Sequence, residues 1–130
     1  MGLKYLWDTN IVIYYFNKHF PITGERFIDD LLIANKPSIS IITEIELLCW
    51  RSSSANDLVI LKKFVEDALV YELNNDIKLK TIEIRRDFKL KLPDAIIAAS
   101  AIIGDHILIS RNLSDFNKIP KLRVIDPFTV

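Results

Sequence analysis

Apolar and polar positions along the chain follow two periods, a short one of strands and a longer one of helices. Leu3 to Trp7 has the aromatic and aliphatic content of a buried strand, whereas Ile11 to Phe16 runs on too far without turn residues to belong to it. The chain must therefore bend at Asp8-Thr9-Asn10, short polar residues that favour helix starts. An Asp at such a bend faces the positive end of the helix backbone, which holds a carboxylate in place or simply caps the helix. After a break at His19-Phe20-Pro21, Ile22 to Asn35 puts Phe27, Ile28, Leu31 and Leu32 on one helical stripe, with Ile33 at its margin. Asn35-Lys36-Pro37 ends that helix, Ser38 to Ile42 reads as a short strand, and Thr43 opens a helix carrying Ile45, Leu47, Leu48 and Trp50. Ser52-Ser53-Ser54 is expected to be a loop. Asn56 or Asp57 then starts a helix with Leu58, Val59, Leu61, Phe64 and Val65, followed by a strand-like Ala68 to Leu73.

Asn74-Asn75-Asp76 supports a turn and a cap, after which Leu79, Ile82, Ile84 and Phe88 keep helical spacing until Pro93 interrupts. A nearly all-apolar helix is expected from Asp94 to Ile103. Gly104-Asp105 turns the chain into the buried strand His106 to Ser110, which reads into a loop, and Leu122 to Ile125 is the last strand. Strands alternating with helices call for a parallel sheet, because parallel strands need long crossover connections. The expectation is an α/β three-layer sandwich with a central, mainly parallel sheet flanked by helices. With 130 residues, half of them hydrophobic, residues 1–130 read as one domain. No apolar run approaches the roughly 18 residues of a membrane span, and no secretory leader is evident, so a soluble cytoplasmic protein is expected.

In such sheets ligands bind beyond the carboxyl ends of the strands. Asp8 ends the first strand, Glu44 lies just past the second, Asp94 opens the helix after Pro93, and Asp115 lies in the loop after Ser110. Taken singly, each is an ordinary cap, first-turn acid or solvated loop residue. Together on one edge they would repel unless a cation or proton intervened. Magnesium takes oxygen ligands, keeps several waters and needs only one or two carboxylates, so Asp8 and Asp94 are the expected direct ligands, with Glu44 and Asp115 acting through water. Manganese also fits. Thr43 and Glu46 have capping-box spacing, which makes Glu46 structural and leaves Glu44 for the cleft; a shifted helix start would exchange their roles. Thr9, Asn10, Ser110 and Asn112 supply polar atoms at the same edge to orient ligands or waters.

Charge changes this picture little. Seventeen basic and seventeen acidic residues cancel, so no global field announces nucleic acid, and a local patch or a bound cation would have to serve. Lys78, Lys80, Arg85, Arg86, Lys89 and Lys91 flank the approach to Asp94; such a run is a solvated helix face or an RNA contact, with Arg85, Arg86 and Lys91 the candidates. Cys49, the single cysteine, has no partner for a disulfide or zinc site, and His19 and His106 lack ligand spacing. Glycines at positions 2, 24 and 104 cannot build a phosphate loop. An aspartyl phosphotransferase would want a second acid where Asn10 stands, and a receiver-type switch would want adjacent acids and a late lysine that Ser110-Arg111 does not supply.

At Leu6 to Tyr15, Ser40 to Leu47, Lys89 to Ala99 and Ile109 to Phe116 the chain closely resembles PIN-domain ribonucleases, above all the VapC-type toxins of bacterial toxin–antitoxin pairs. The resemblance covers essentially the whole chain, and Leu90 to Ala99 is its most specific piece. It implies a PIN-like fold in which Asp8, Glu44, Asp94 and Asp115 form an acidic pocket with Thr9 and Ser110 as hydroxyl-bearing companions. It also implies magnesium- or manganese-dependent RNA cleavage, homodimerisation, and inhibition by a small antitoxin protein whose C-terminal segment enters the pocket. Ser110 stands where the family often has Thr, which keeps the hydroxyl. Asn112 occupies a position that is acidic in some members, leaving open whether Asn112 or Asp115 completes the site. The expected chemistry is metal-assisted phosphodiester hydrolysis. The alternative is a non-catalytic PIN-like module that binds RNA or protein. Tyr14, Tyr15, Phe16 and Phe27 are core residues or the wall of a dimer or antitoxin groove.

Overall fold

Alternate residues of a strand point to opposite faces of a sheet, and both faces of this one are apolar. In the computed structural model, which describes residues 3–50 and 54–130, Leu6 and Leu108 enter one core while their neighbours Trp7 and Ile109 enter the other. Of the expected serine loop, Ser52 and Ser53 lie outside the described residues. The strands β1 (Tyr5–Trp7), β2 (Ser38–Ser40), β3 (Leu69–Tyr71), β4 (Ile107–Ile109) and β5 (Val124–Ile125) form a five-stranded sheet of order β3-β2-β1-β4-β5. Every pairing is parallel, with Leu6 beside Leu108 and Trp7 beside Ile109 at its centre.

Around it lie α1 (Thr9–Phe16), α2 (Ile22–Ala34), α3 (Ile41–Leu48), α4 (Ala55–Asp67), α5 (Asn75–Asp87), α6 (Leu92–Ile103) and α7 (Leu113–Phe116). Ile28, Leu47, Leu61 and Phe64 from α2, α3 and α4 cover the Trp7 face; Ile77, Ile84 and the apolar run of α6 cover the Leu6 face. The three-layer arrangement follows. Among the described residues no helix is long and apolar enough to cross a membrane.

Local chemistry moved several boundaries. Ser40, expected inside a strand, is the N-cap of α3 and accepts a hydrogen bond from Ile42 N at 3.1 Å, so that helix begins ahead of Thr43. Pro93 does not separate two helices but sits in the first turn of α6, where its missing N–H costs nothing. The stretch after Ser110, expected to be loop, contains the short α7, which buries Phe116.

The order of strands creates the one feature that matters for function. The chain runs outward from β1 through β2 to β3, then returns to lay β4 on the other flank of β1. The connections after β1 and β4 diverge, and a crevice opens beyond the carboxyl ends of these two central strands.

Candidate active site

Asp8 and Ser110, the residues that follow β1 and β4, are held side by side in that crevice. Asp8 N donates to Ile109 O at 3.0 Å and Ser110 N to Ile125 O at 3.0 Å, extending the ladders one residue beyond the strands. Ser110, fully buried, donates its hydroxyl to Asp8 Oδ2 at 2.8 Å and accepts from Asn112 N at 3.0 Å. Asp8 is also the N-cap of α1, its Oδ1 accepting from Thr9 N at 2.9 Å. Capping and site are thus one arrangement, because the cap fixes one oxygen and the serine fixes the other.

The second strut crosses from α1 to α3. Thr9 Oγ1 donates to Glu46 Oε1 at 2.6 Å, and its proton being used there, the 3.0 Å contact with Thr43 Oγ1 makes Thr43 the donor to Thr9. This overturns the expected capping box: Thr43 lies within α3, wholly buried, and turns its hydroxyl to Thr9 rather than to its own backbone. The consequence for the acids is direct. Residues two apart on a helix point about 200° from each other, so only one of Glu44 and Glu46 can face the crevice. Glu46 does, and Glu44, half-buried, does not line the cavity. The signal was present in the sequence, since Thr43, Glu46, Leu47 and Trp50 share one helical face once Ser40 is taken as the cap.

Asp94 enters the same cavity from the first turn of α6. The space, about 340 Å³, is lined by Asp8, Thr9, Asn10, Ile13, Glu46, Trp50, Asp94 and Asn112. Asp115 is not part of the lining. It stands behind Asn112, whose Nδ2 donates to Asp115 Oδ2 at 3.0 Å, and it faces Lys118 at 3.7 Å. Asn112 is therefore the residue at the cavity wall and Asp115 the acid that holds it. Among the basic candidates, Lys91 is the N-cap residue of α6 and its charge acts on Asp94. Arg85 and Arg86 are exposed in the last turn of α5, complementing the helix dipole, and do not line the cavity.

Burial, and then the company of other carboxylates, shifts protonation in this space. Burial pushes the Asp8 carboxyl up to about 6, with the charges of Asp94 and Glu46 adding to it and the bonds from Ser110 and Thr9 opposing. Asp94 is raised as well, first by burial and then by Glu46 and Asp115, against the lowering effect of Lys91. These are hard oxygen donors that a small divalent cation would relieve. Among the described residues no three His, Cys, Asp or Glu side chains form a ready-made metal cage. A magnesium ion that keeps its waters and takes one or two carboxylates requires none, so the donor set fits such an ion.

An apolar furrow leads away from the cavity. Ile13 and Trp50 belong to both, and Phe16 and Ile60 carry the furrow on into a hollow of about 440 Å³ walled by Tyr15, Leu32, Val59 and Phe64. Of the aromatic residues expected at such a groove, Tyr15 and Phe16 line it. Tyr14 instead packs on Phe20 and Phe128, and Phe27 on Tyr5.

Comparison with known proteins gives this architecture a family. A family profile described as PIN domain matches residues 5–122. The chain belongs to the PIN-domain family. Solved structures point to the VapC-type branch of PIN domains. A chain of a toxin–antitoxin complex from Klebsiella pneumoniae is 30% identical, with TM-score 0.75 over 95% of this chain and 98% of that one. VapBC from Salmonella typhimurium, bound to DNA, is 25% identical, with TM-score 0.80 over 97% and 99%. VapBC2 from Rickettsia felis, bound to a promoter fragment, is 25% identical with TM-score 0.79 over 95% and 98%. No match was found among curated proteins. VapC-like PIN domains are nucleases generally, and PIN-domain nucleases generally depend on a divalent metal.

Proposed function

We propose that the protein is a magnesium- or manganese-dependent ribonuclease that hydrolyses RNA phosphodiester bonds, and that it is the toxin of a toxin–antitoxin pair. One observation carries this reading: Asp8, Glu46 and Asp94, from three separate elements, line a single cavity at the β1/β4 crevice, two of them fixed by buried hydroxyls. Asp8 and Asp94 are the residues that would hold the ion. Bound there, a divalent cation supplies Lewis acidity toward a phosphate oxygen and a more acidic water. Ser110 and the Thr9 amide fix the direction of the Asp8 carboxylate. Glu46, tied through one oxygen by Thr9, is set to take the proton of the attacking water with the other. Asn112, braced by Asp115, orients substrate or water at the wall. Cys49 has no part in this scheme.

Under this reading the protein acts in the cytoplasm, where RNA is its substrate. Its antitoxin is a small protein with an apolar segment along the Phe16–Ile60 furrow, a reading supported by the furrow's continuity with the cavity and by the toxin–antitoxin complexes among its structural relatives. We also propose a homodimer, for which exposed Leu79, Ile82 and Leu92 on α5 and α6 are apolar contact candidates.

The test is incubation of the purified chain with a pool of short RNAs in Mg2+ or Mn2+, followed by sequencing of the ends. Cleavage that EDTA abolishes is expected; intact RNA with metal bound would favour a non-catalytic binding module. The two neighbouring acids give a sharper result. Glu46→Gln should lower the cleavage rate by about 100-fold, the scale of losing a positioned acid–base group, while Glu44→Gln should stay within about twofold. Equal losses would show that α3 does not present Glu46 alone to the substrate.

A further inference from the structure

Arg111 is a cation held in place next to this site in the chain, outside the cavity lining itself. It lies between Ser110, which binds Asp8, and Asn112, which lines the cavity, so its Cα is about 3.8 Å from that of each. Its side chain is not loose. The guanidinium sits over the Phe128 ring, 3.7 Å from the centroid, and its Nε faces Asp126 Oδ2 at 3.6 Å. Both supports are themselves anchored. Asp126 is buried and accepts Phe128 N at 2.9 Å, and the Phe128 ring packs edge-on against Tyr14 and Phe20. Tyr14 is one helical turn from Asn10 of the cavity. The arginine side chain nevertheless remains 47% exposed, and its terminal nitrogens make no hydrogen bond to any described residue.

We propose that Arg111 binds an RNA phosphate next to the one being cleaved, as a positioning residue on the α1 side of the cavity. This rests on the ribonuclease reading above. The chemistry asks for such a group: the cavity wall is carboxylate, the chain has no net charge, and a polyanion must be held at its margin by a local cation. A guanidinium fixed along its Nε edge and one face presents its terminal nitrogens in the fork that matches two phosphate oxygens, with little side-chain entropy left to lose. A residue serving only to tie down the C-terminal segment would have no need to leave that edge in solvent.

The experiment measures kcat, KM and the salt dependence of kcat/KM for the full chain in Mg2+, on a fluorogenic pool of short single-stranded RNAs. Arg111→Gln is expected to raise KM about tenfold with kcat little changed, and to reduce the slope of log(kcat/KM) against log salt by about 0.7, the value for one phosphate contact on a single strand. Arg111→Lys should restore the slope, because the charge returns without the fork. An unchanged slope in Arg111→Gln, or a loss confined to kcat and matched by a lower melting temperature, overturns the proposal and leaves the arginine a structural tie. If the wild-type chain cleaves none of the pool, the ribonuclease reading fails first and this inference with it.

Discussion

Asp94→Asn should abolish most RNA cleavage, by roughly 100- to 1,000-fold or more, in a protein that folds as before. The size is that of removing one preorganised electrostatic group from an active site. Among the described residues Asp94 makes no side-chain hydrogen bond or ion pair that the fold needs. It lies in the first turn of α6, where an acid contributes only about 0.3–1 kcal/mol through the helix dipole, and burial, then repulsion from Glu46 and Asp115, raises its protonation. Asn keeps the shape and removes the charge. Steady-state cleavage set beside circular dichroism and thermal melting checks the expectation; retained activity in a folded Asp94→Asn protein would remove this residue from the proposed metal site.

Without metal, stability should fall as the pH rises from about 4 to about 6. An unfolded Asp titrates near 3.8, whereas the native Asp8 carboxyl titrates near 6, so the native state binds the extra proton in that window. Its contribution is fully present below the lower value and lost above the upper one. At 1.36 kcal/mol for each pH unit, the loss is roughly 3 kcal/mol, and Asp94, shifted in the same direction, adds to it. Asp8→Asn should erase most of this slope. Asn caps a helix as well as Asp: its one oxygen can still accept from Thr9 N, and its amide NH2 can donate to the Ser110 hydroxyl, which reverses its role, so the metal-free variant should melt several degrees higher than wild type at neutral pH. Urea unfolding in EDTA across this range is the measurement. A variant that melts lower at neutral pH would mean that Asp8 is chiefly a cap.

Which parts of this could be read in advance follows from the physics. The sheet was legible because buried parallel strands are short apolar runs bounded by polar residues, and Asp8 because an apolar run that ends in Asp-Thr-Asn and resumes at helical spacing has to turn there. Asp94 could be placed for a similar reason, with Pro93 fixing a helix start within two residues. Glu46 reads as structural because Thr43 and Glu46 satisfy a local capping rule, which a tertiary contact, Thr9 to Glu46, supersedes. An error of a few residues at a helix start decides which of two acids faces the cavity, and boundaries are where local rules are weakest. Asp115 behind Asn112 could not be read at all, since α7, too short to show a helical period, turns one onto the other. The furrow from Ile13 to Phe64 joins residues of several elements and exists only once these pack.

The convergence of carboxylates is the premise beneath every step, and calorimetric titration of Mn2+ into the wild-type chain and into Asp8→Asn tests it most directly. Saturable binding near neutral pH is expected, weakening toward about pH 5 as the Asp8 carboxyl takes up its proton, and lost in the variant. Binding of equal strength in both proteins, or binding indifferent to pH across that range, would contradict the account.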